Sequence, residues 1–206
     1  MFDDYSRSPE DLLKKVVDTR AKMDEYGFRK ARLGVAEWHY GPEGWDRVSS
    51  ADLTGVDSGV YASAVLSRLH DSPVDDMFYY SATLGYWGLV AGRTRRPAWH
   101  AFKAFQQLAA QGEAVRVDVP SFPEAGRYAL AAKHGGKGHA MLSSFKRGDD
   151  WKLTVKGAKP VSVKRLDNAL KLETTKAWKW NAGTGALTLV APVGSTSALW
   201  LVEFDL

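Results

Sequence analysis

The hydrophobic pattern of this chain changes its period near Gly112, and this change constrains the fold more than any other feature. Before Gly112, apolar residues recur at three- and four-residue spacing in some stretches and form short continuous runs in others, a mixture typical of helices and buried strands. After Gly112, short segments alternate between apolar and polar residues, and turn residues separate them. We therefore predict an α/β domain over residues 1–112, followed by an all-β domain over residues 113–206.

Helices and strands alternate along the predicted α/β domain. The predicted elements are helices at residues 9–26, 56–69 and 97–111 and strands at residues 31–36 and 77–80. The first helix has the strongest signals, because Ser8 is a favourable N-cap, Pro9 suits the first helical position and Gly27 suits the C-terminal stop. The α-β-α-β-α order favours parallel strands that are joined by right-handed crossovers.

The second half contains seven or eight short strand-like segments. They include residues 115–119, 128–131, 140–142, 151–155, 161–163, 186–189 and 198–202. Turn sequences such as Gly135-Gly136 and Gly183-Thr184-Gly185 lie between them. Short strands at this spacing are typical of an antiparallel β-sandwich.

The composition excludes several classes of protein. The chain is 45% hydrophobic and 25% charged, which is ordinary for a globular protein. No uncharged apolar run approaches the roughly 20 residues that a membrane helix needs. The chain contains no cysteine, so disulfides and thiol nucleophiles are excluded. The first five residues, MFDDY, lack a basic start before an apolar stretch, so we expect no signal peptide and leave the localisation open.

The charge pattern indicates neither a nucleic acid nor a membrane as a partner. The net charge is +4, but basic and acidic residues are interleaved, and residues 93–96 (RTRR) form the only tight basic cluster. A nucleic-acid-binding protein concentrates its basic residues in a stripe. The histidines have no metal-ligand spacing with carboxylates, so we predict no metal site.

Glu37 is the strongest candidate for chemistry. It follows a short apolar strand, and Trp38, His39 and Tyr40 come directly after it. In a parallel β/α architecture, functional sites lie at the carboxyl ends of the strands. These aromatic side chains, with Trp45, could form the wall of a pocket for an uncharged ring-shaped ligand. A structural salt bridge for Glu37 and a simple packed aromatic loop are the alternatives.

The second half offers a weaker candidate site. Trp178 and Trp180 share one face of a predicted strand, and lysines flank them. Flat aromatic faces with polar edges suit the C–H faces of sugar rings, although large aromatics also fill protein cores. These two tryptophans are therefore candidates for a carbohydrate-binding platform.

Several short motifs occur in the order that is found in one enzyme family. They are SPEDLL (8–13), MDEYGF (23–28), AEWHY (36–40), YY (79–80) and PAWHAFKAF (97–105). The combination resembles the late part of family 39-like glycoside hydrolases, which belong to the clan of retaining (β/α)8-barrel glycosidases. The family patterns are DEYGF, NEWNY, YY and PAYYAFKAF, followed by a C-terminal β-sandwich. The resemblance covers about residues 5–110 and extends more loosely to residue 206.

The resemblance implies a retaining glycosidase acting on a poly- or oligosaccharide. Glu37 would close barrel strand seven and be the catalytic nucleophile, which forms a glycosyl ester while a second carboxyl about 5–5.5 Å away protonates the leaving oxygen. Tyr5 matches a tyrosine of the loop after strand six, and His39 stands where Asn is common. The implied substrate-binding residues are Tyr5, Trp38, His39, Tyr80 and Trp87. This chemistry needs no metal or organic cofactor.

The length of the α/β domain departs from a complete barrel. A barrel takes about 250 residues, so the chain is expected to hold the last two to three βα units only. In this clan the acid/base glutamate ends strand four, which the chain lacks. We therefore expect the chain to supply the nucleophile half of the site and to be inactive alone, as a fragment, a remnant or a subunit that associates with another chain to complete the barrel. The alternative is a non-catalytic carbohydrate-binding or assembly module.

Overall fold

The chain is a mixed α/β protein with few helices and a β-rich second half. The computed structural model describes residues 2–41, 49–115, 117 and 126–206, and for residues 2–6 it describes the backbone alone. Within these ranges, no helix has the length and apolar character that a membrane crossing requires. Trp45, which the sequence analysis assigns to the wall of a pocket, lies outside the described residues.

The three predicted helices are confirmed. The helices of the first half are α1 (Pro9–Glu25), α2 (Ser50–Thr54), α3 (Val56–Arg68) and α4 (Pro97–Ala109), and a 3-10 turn spans Gly85–Trp87. Helix α1 begins at a capping box, because the Ser8 hydroxyl accepts from the Asp11 N–H (3.3 Å) and the Asp11 carboxylate accepts from the Ser8 N–H (3.2 Å).

Three strands of the first half form a parallel sheet. The strands of this half are β1 (Phe2–Ser6), β2 (Gly34–Tyr40), β3 (Asp76–Tyr79), β4 (Val90–Ala91) and β5 (Thr94–Arg95). The sheet order is β1-β2-β3, and both pairings are parallel, which confirms the predicted parallel relation of β2 and β3. Strands β4 and β5 pair separately as a short antiparallel ribbon.

Strand β1 corrects one expectation. The resemblance placed Tyr5 in a loop, whereas the backbone here is a strand in which Tyr5 pairs with His39. Two consecutive aspartates, Asp3 and Asp4, have low strand propensity, so this segment has no strand pattern of its own. Pairing with β2 therefore overrides the local preference.

Strand β2 contains a β-bulge at Ala36 and Glu37. Its pairs with β1 advance from Val35 to Glu37 while β1 advances by a single residue. Its pairs with β3 advance from Val35 to Trp38, and here also β2 gains one residue on its partner. One extra residue reverses the alternation of side chains along a strand.

The bulge explains which side chains of this segment reach the core. Four of them pack in the core that the sheet shares with the helices: Leu33, Val35, Trp38 and Tyr40. Without the bulge, the side chains of Trp38 and Tyr40 would point to the face opposite that of Leu33 and Val35. Because successive side chains of a strand point to opposite faces, Glu37 lies on the face away from Trp38 and the helices.

The second half forms two antiparallel sheets. Its strands are β6 (Glu113–Val115), β7 (Arg127–His134), β8 (Lys137–Ser144), β9 (Trp151–Thr154), β10 (Lys159–Leu166), β11 (Lys171–Thr174), β12 (Trp178–Asn181), β13 (Ala186–Leu189) and β14 (Ala198–Asp205). The large sheet has the order β11-β10-β14-β8-β7-β6, and the small sheet has the order β12-β13-β9.

The large sheet packs on both of its faces. Along β14, Leu199 and Leu201 join the core of the helices and the parallel sheet, whereas Trp200 and Val202 join a second core with the small sheet. Helix α3 contacts the large sheet through a buried hydrogen bond of 2.7 Å between the hydroxyls of Ser63 and Ser143. The first core therefore continues without interruption across residue 112.

Candidate functional site

Glu37 lies in the bulge of β2 and its side chain is part-buried. The sequence predicts that its strand ends here, but β2 continues for three residues to Tyr40. The strand continues because Trp38 still pairs with Tyr79 of β3 beyond the bulge. In register, Glu37 is paired with Asp3 of β1. The carboxylate is thus held by the central strand of the parallel sheet, on the face away from the helices.

Trp38 belongs to the core. It is 1% exposed, and its ring centroid lies 5.0 Å from that of Tyr79, 6.0 Å from that of Phe102 and 6.4 Å from that of Tyr61. These contacts join β2 to β3, α4 and α3. The structure therefore gives Trp38 no surface for a sugar, and its contribution is to fix the strand that carries Glu37.

His39 is fully buried at the end of β2, and its two ring nitrogens have different partners. Nδ1 lies 3.1 Å from the carbonyl oxygen of Tyr40, and Nε2 lies 2.7 Å from the hydroxyl of Tyr79. A carbonyl oxygen can only accept, so Nδ1 carries the hydrogen. The buried ring therefore offers a sugar no accessible donor or acceptor.

Burial also sets the protonation of this pair. It lowers the pKa of His39 from 6.5 to about 4, against the opposing effect of the Tyr40 and Trp87 carbonyls. Burial raises the pKa of Tyr79 above its ordinary value. At neutral pH the imidazole is uncharged and the phenol is protonated, so Tyr79 donates to Nε2 of His39.

Tyr80 and Trp87 are brought together beside His39. The rings of Tyr80 and Trp87 are tilted, with centroids 6.0 Å apart, and the Trp87 ring stands edge-on to His39 at 5.1 Å. Both residues are part-buried. The Ser81 N–H donates to the Trp87 carbonyl (3.0 Å), which closes the loop after β3. These two predicted aromatic residues therefore keep partial access to solvent, unlike Trp38 and His39.

Tyr79 and Arg96 are structural members of the site that the sequence analysis did not single out. Tyr79 joins His39 to the core, and Arg96 donates through Nη1 to the carbonyl of Gly88 (3.1 Å), next to Trp87. The tandem YY motif contained the signal for Tyr79, because its first tyrosine ends β3 and its second begins the loop after it. Tyr5 is placed by its backbone alone, so its predicted contact stays a prediction.

The candidate residues of the second half have structural roles. Trp178 and Trp180 pack against the core between the two antiparallel sheets, so their rings face inward. The Gly135-Gly136 turn joins β7 to β8 as a hairpin. Among the described residues, no three His, Asp or Glu side chains form a group that could hold a metal ion.

Solved structures resemble this chain along nearly its whole length. A glucosidase from Croceicoccus marinus superimposes with a TM-score of 0.71 at 16% identity, covering 100% of this chain and 52% of that one. A family 39 glycoside hydrolase from Xanthomonas axonopodis pv. citri gives 0.63 at 16% identity, covering 97% and 50%. The fold is glycosidase-like. No protein-family model matches the chain, and no curated protein matches it.

The glycosidase-like fold is shared with more than one enzyme family. A family 30 subfamily 8 xylanase from Clostridium acetobutylicum superimposes with a TM-score of 0.61 at 14% identity, covering 86% of this chain and 43% of that one. The fold therefore does not single out family 39. This chain spans about half the length of the solved structures that it matches.

Proposed function

We propose that this chain is the nucleophile-bearing part of a retaining glycoside hydrolase. In this proposal the three parallel strands are the last strands of a (β/α)8 barrel, and the two antiparallel sheets form its β-sandwich domain. The fold shared with glycoside hydrolases supports the proposal. The motifs around Glu37 support the narrower assignment to a family 39-like enzyme.

The observation that carries the proposal is the bulge in β2. It lets Trp38 and Tyr40 anchor the strand in the core while Glu37 faces the other way. In a (β/α)8 barrel that face is the interior side, and Glu37 lies three residues before the carboxyl end of β2, the end at which barrel enzymes build their active sites. A carboxylate there can attack an anomeric carbon and form a glycosyl ester.

Tyr80 and Trp87 complete this half of the site in the proposal. Their rings are adjacent and part-buried, which leaves an apolar surface for the C–H face of a sugar. His39 acts beneath them as a positioning residue, since it contacts Trp87 and accepts from Tyr79. The acid/base carboxyl is supplied from outside this chain, from the strands that complete the barrel.

The test uses substrates that do not need the missing acid. A 2,4-dinitrophenyl glycoside has a leaving group good enough to depart without protonation, so the nucleophile alone can form the glycosyl ester. We expect a burst of dinitrophenolate of about one equivalent per chain from a glucoside or a xyloside. Turnover after the burst is slow, because no base activates water.

The matched variants decide the outcome. Glu37→Gln should abolish the burst, whereas Glu113→Gln, at an exposed carboxylate that pairs with Lys133, should leave it intact. A burst that survives in Glu37→Gln contradicts the nucleophile assignment. The absence of a burst with both the glucoside and the xyloside would contradict the proposal that this chain holds a working nucleophile.

The second candidate function is non-catalytic carbohydrate binding, which the partly accessible Tyr80–Trp87 pair favours. A binding module would retain neutral oligosaccharides without any burst. Titration of the chain with gluco- and xylo-oligosaccharides, followed by Trp fluorescence, tests it. Binding that Trp87→Ala removes, in a chain that gives no burst, would favour this second function over the first.

A further inference from the structure

The strands of the small sheet come from segments without acidic residues. Residues 151–166 contain no Asp or Glu but contain the basic residues Lys152, Lys156, Lys159, Lys164 and Arg165. Residues 174–202 likewise contain no Asp or Glu, and their basic residues are Lys176 and Lys179. These lysines are spread along the sequence, and the fold brings two of them onto one face of the small sheet.

The pairing of the small sheet sets two of the lysines in one row. The inward side chains of its strands pack in the core with the large sheet: Trp151, Leu153, Trp178, Trp180, Leu187 and Leu189. The alternate residues therefore form the outer face. On that face Thr188 pairs with Lys152 on one side and with Lys179 on the other.

The rest of this outer face is small and uncharged. The next row pairs Ala186 with Thr154 and with Asn181. Lys152, Lys179, Thr154 and Asn181 are all exposed. The result is a surface with two cations, hydroxyl and amide groups, and no carboxylate on any of the three strands; we call it the lysine face.

The cations of the lysine face have no acidic partner among the described residues. Neither Lys152 nor Lys179, nor the nearby Lys156 and Lys176, makes an ion pair within the described ranges. Adjacent strands lie about 4.8 Å apart, so the backbones of Lys152 and Lys179 are about 10 Å apart. That separation exceeds the Debye length of about 8 Å at physiological ionic strength, so each cation is a separate contact for a carboxylate of one extended polymer.

We propose that the lysine face binds an acidic polysaccharide, a polyuronate chain with carboxylates along its length. The two lysines stand about 10 Å apart across the sheet, so one extended polymer can contact both. The lysines match its carboxylates, and the hydroxyl and amide groups match its hydroxyls. This goes beyond the proposed function, since it uses neither Glu37 nor the aromatic pair.

The composition of the face favours a polyuronate over a nucleic acid. Single-stranded nucleic acids bind where bases stack on exposed aromatics, and here Trp178 and Trp180 face the core. The major groove of duplex DNA admits a helix or a two-stranded ribbon, whereas the lysine face is the outer surface of a three-stranded sheet.

The experiment compares polygalacturonate with the same polymer after full methyl esterification, which keeps the sugar backbone and removes the charge. We expect the chain to bind polygalacturonate at least about tenfold more tightly than the ester, with an affinity that falls as salt rises. The double variant Lys152→Ala/Lys179→Ala should lose about tenfold in affinity for polygalacturonate.

The control variant removes two lysine charges from the first half of the chain. Lys22→Ala/Lys30→Ala changes two exposed lysines of the first half and should leave the affinity within about twofold. Equal binding of both polymers, or equal losses in the two double variants, would overturn the proposal. Tighter binding of a single- or double-stranded DNA, lost in Lys152→Ala/Lys179→Ala, would assign the face to nucleic acid instead. The Glu37→Gln variant should bind polygalacturonate as tightly as the unmodified chain. Failure of the lysine-face proposal can therefore be told apart from failure of the nucleophile proposal.

Discussion

The hydroxyl of Tyr79 donates a hydrogen bond of 2.7 Å to Nε2 of His39, and this bond joins the strand that carries Glu37 to its neighbour β3. His39 also stands against Trp87. Both the strand of the candidate nucleophile and the loop of the candidate sugar contact therefore depend on one buried uncharged imidazole. This relationship leads to the first two predictions.

Tyr79→Phe should destabilise the chain by about 1–3 kcal/mol, because it leaves Nε2 of a buried histidine without a donor. Urea unfolding at neutral pH measures the change. Tyr80→Phe is the matched control: it removes the neighbouring phenol hydroxyl, which makes no hydrogen bond within the described residues, and should cost less than about 0.5 kcal/mol. Equal losses in the two variants would show that the bond to His39 contributes nothing.

The stability of the chain should fall as pH falls from 6.5 to about 4, the window between the ordinary pKa of His39 and its lowered value in the fold. In this window the unfolded state binds a proton that the folded state does not, so acid favours unfolding. The contribution of His39 is on the order of 3 kcal/mol.

His39→Asn removes this titratable group and replaces the imidazole with an amide that can still donate and accept hydrogen bonds. His100 and His139 also have lowered pKa values, and they act equally in both proteins. The difference in unfolding free energy between the two proteins should therefore shift in favour of the variant as the pH is lowered from 7 to 4.5. A constant difference would contradict the lowered pKa of His39.

Gly59→Ala should destabilise the contact between α3 and α4. A Cβ at Gly59 would lie 2.6 Å from the carbonyl carbon of Pro97, which is backbone and cannot rotate away. We expect a loss of about 1–3 kcal/mol from overpacking. Gly148→Ala, where the nearest atom to a Cβ is 4.0 Å away, should cost less than about 1 kcal/mol. Thermal unfolding of the pair checks this, and similar melting temperatures would contradict the close approach.

Much of the fold could be predicted from the sequence, because local signals and tertiary packing agree there. The capping residues Ser8 and Pro9 and the apolar stripes located α1, α3 and α4. The alternation of these helices with β2 and β3 along the chain predicted that the two strands pair in parallel. Strand β1 could not be predicted, because the two aspartates give it no strand pattern and its pairing with β2 is a non-local effect.

The candidate site was harder to predict because of the bulge. The sequence around Glu37 is almost continuously apolar and aromatic, and such a run does not reveal where alternation reverses. Trp38 and His39 were therefore predicted to contact the substrate. In the structure, Trp38 packs against the helices and His39 is buried against Trp87. The change of parity from Leu33 and Val35 to Trp38 and Tyr40 is set by the pairing of β2 with β1 and β3, which is a non-local effect.

The most direct test of the account is the mass of the chain after reaction with a 2,4-dinitrophenyl glycoside, followed by peptide mapping. The account predicts a gain of one glycosyl unit, carried by the peptide that contains Glu37 and lost in Glu37→Gln. Under the proposed function the ester should persist long enough to be mapped, because no acid/base carboxyl of this chain is assigned to activate water. A glycosyl unit mapped to any other residue, or an unmodified chain after full exposure to the glucoside and the xyloside, would contradict the assignment of Glu37 as nucleophile.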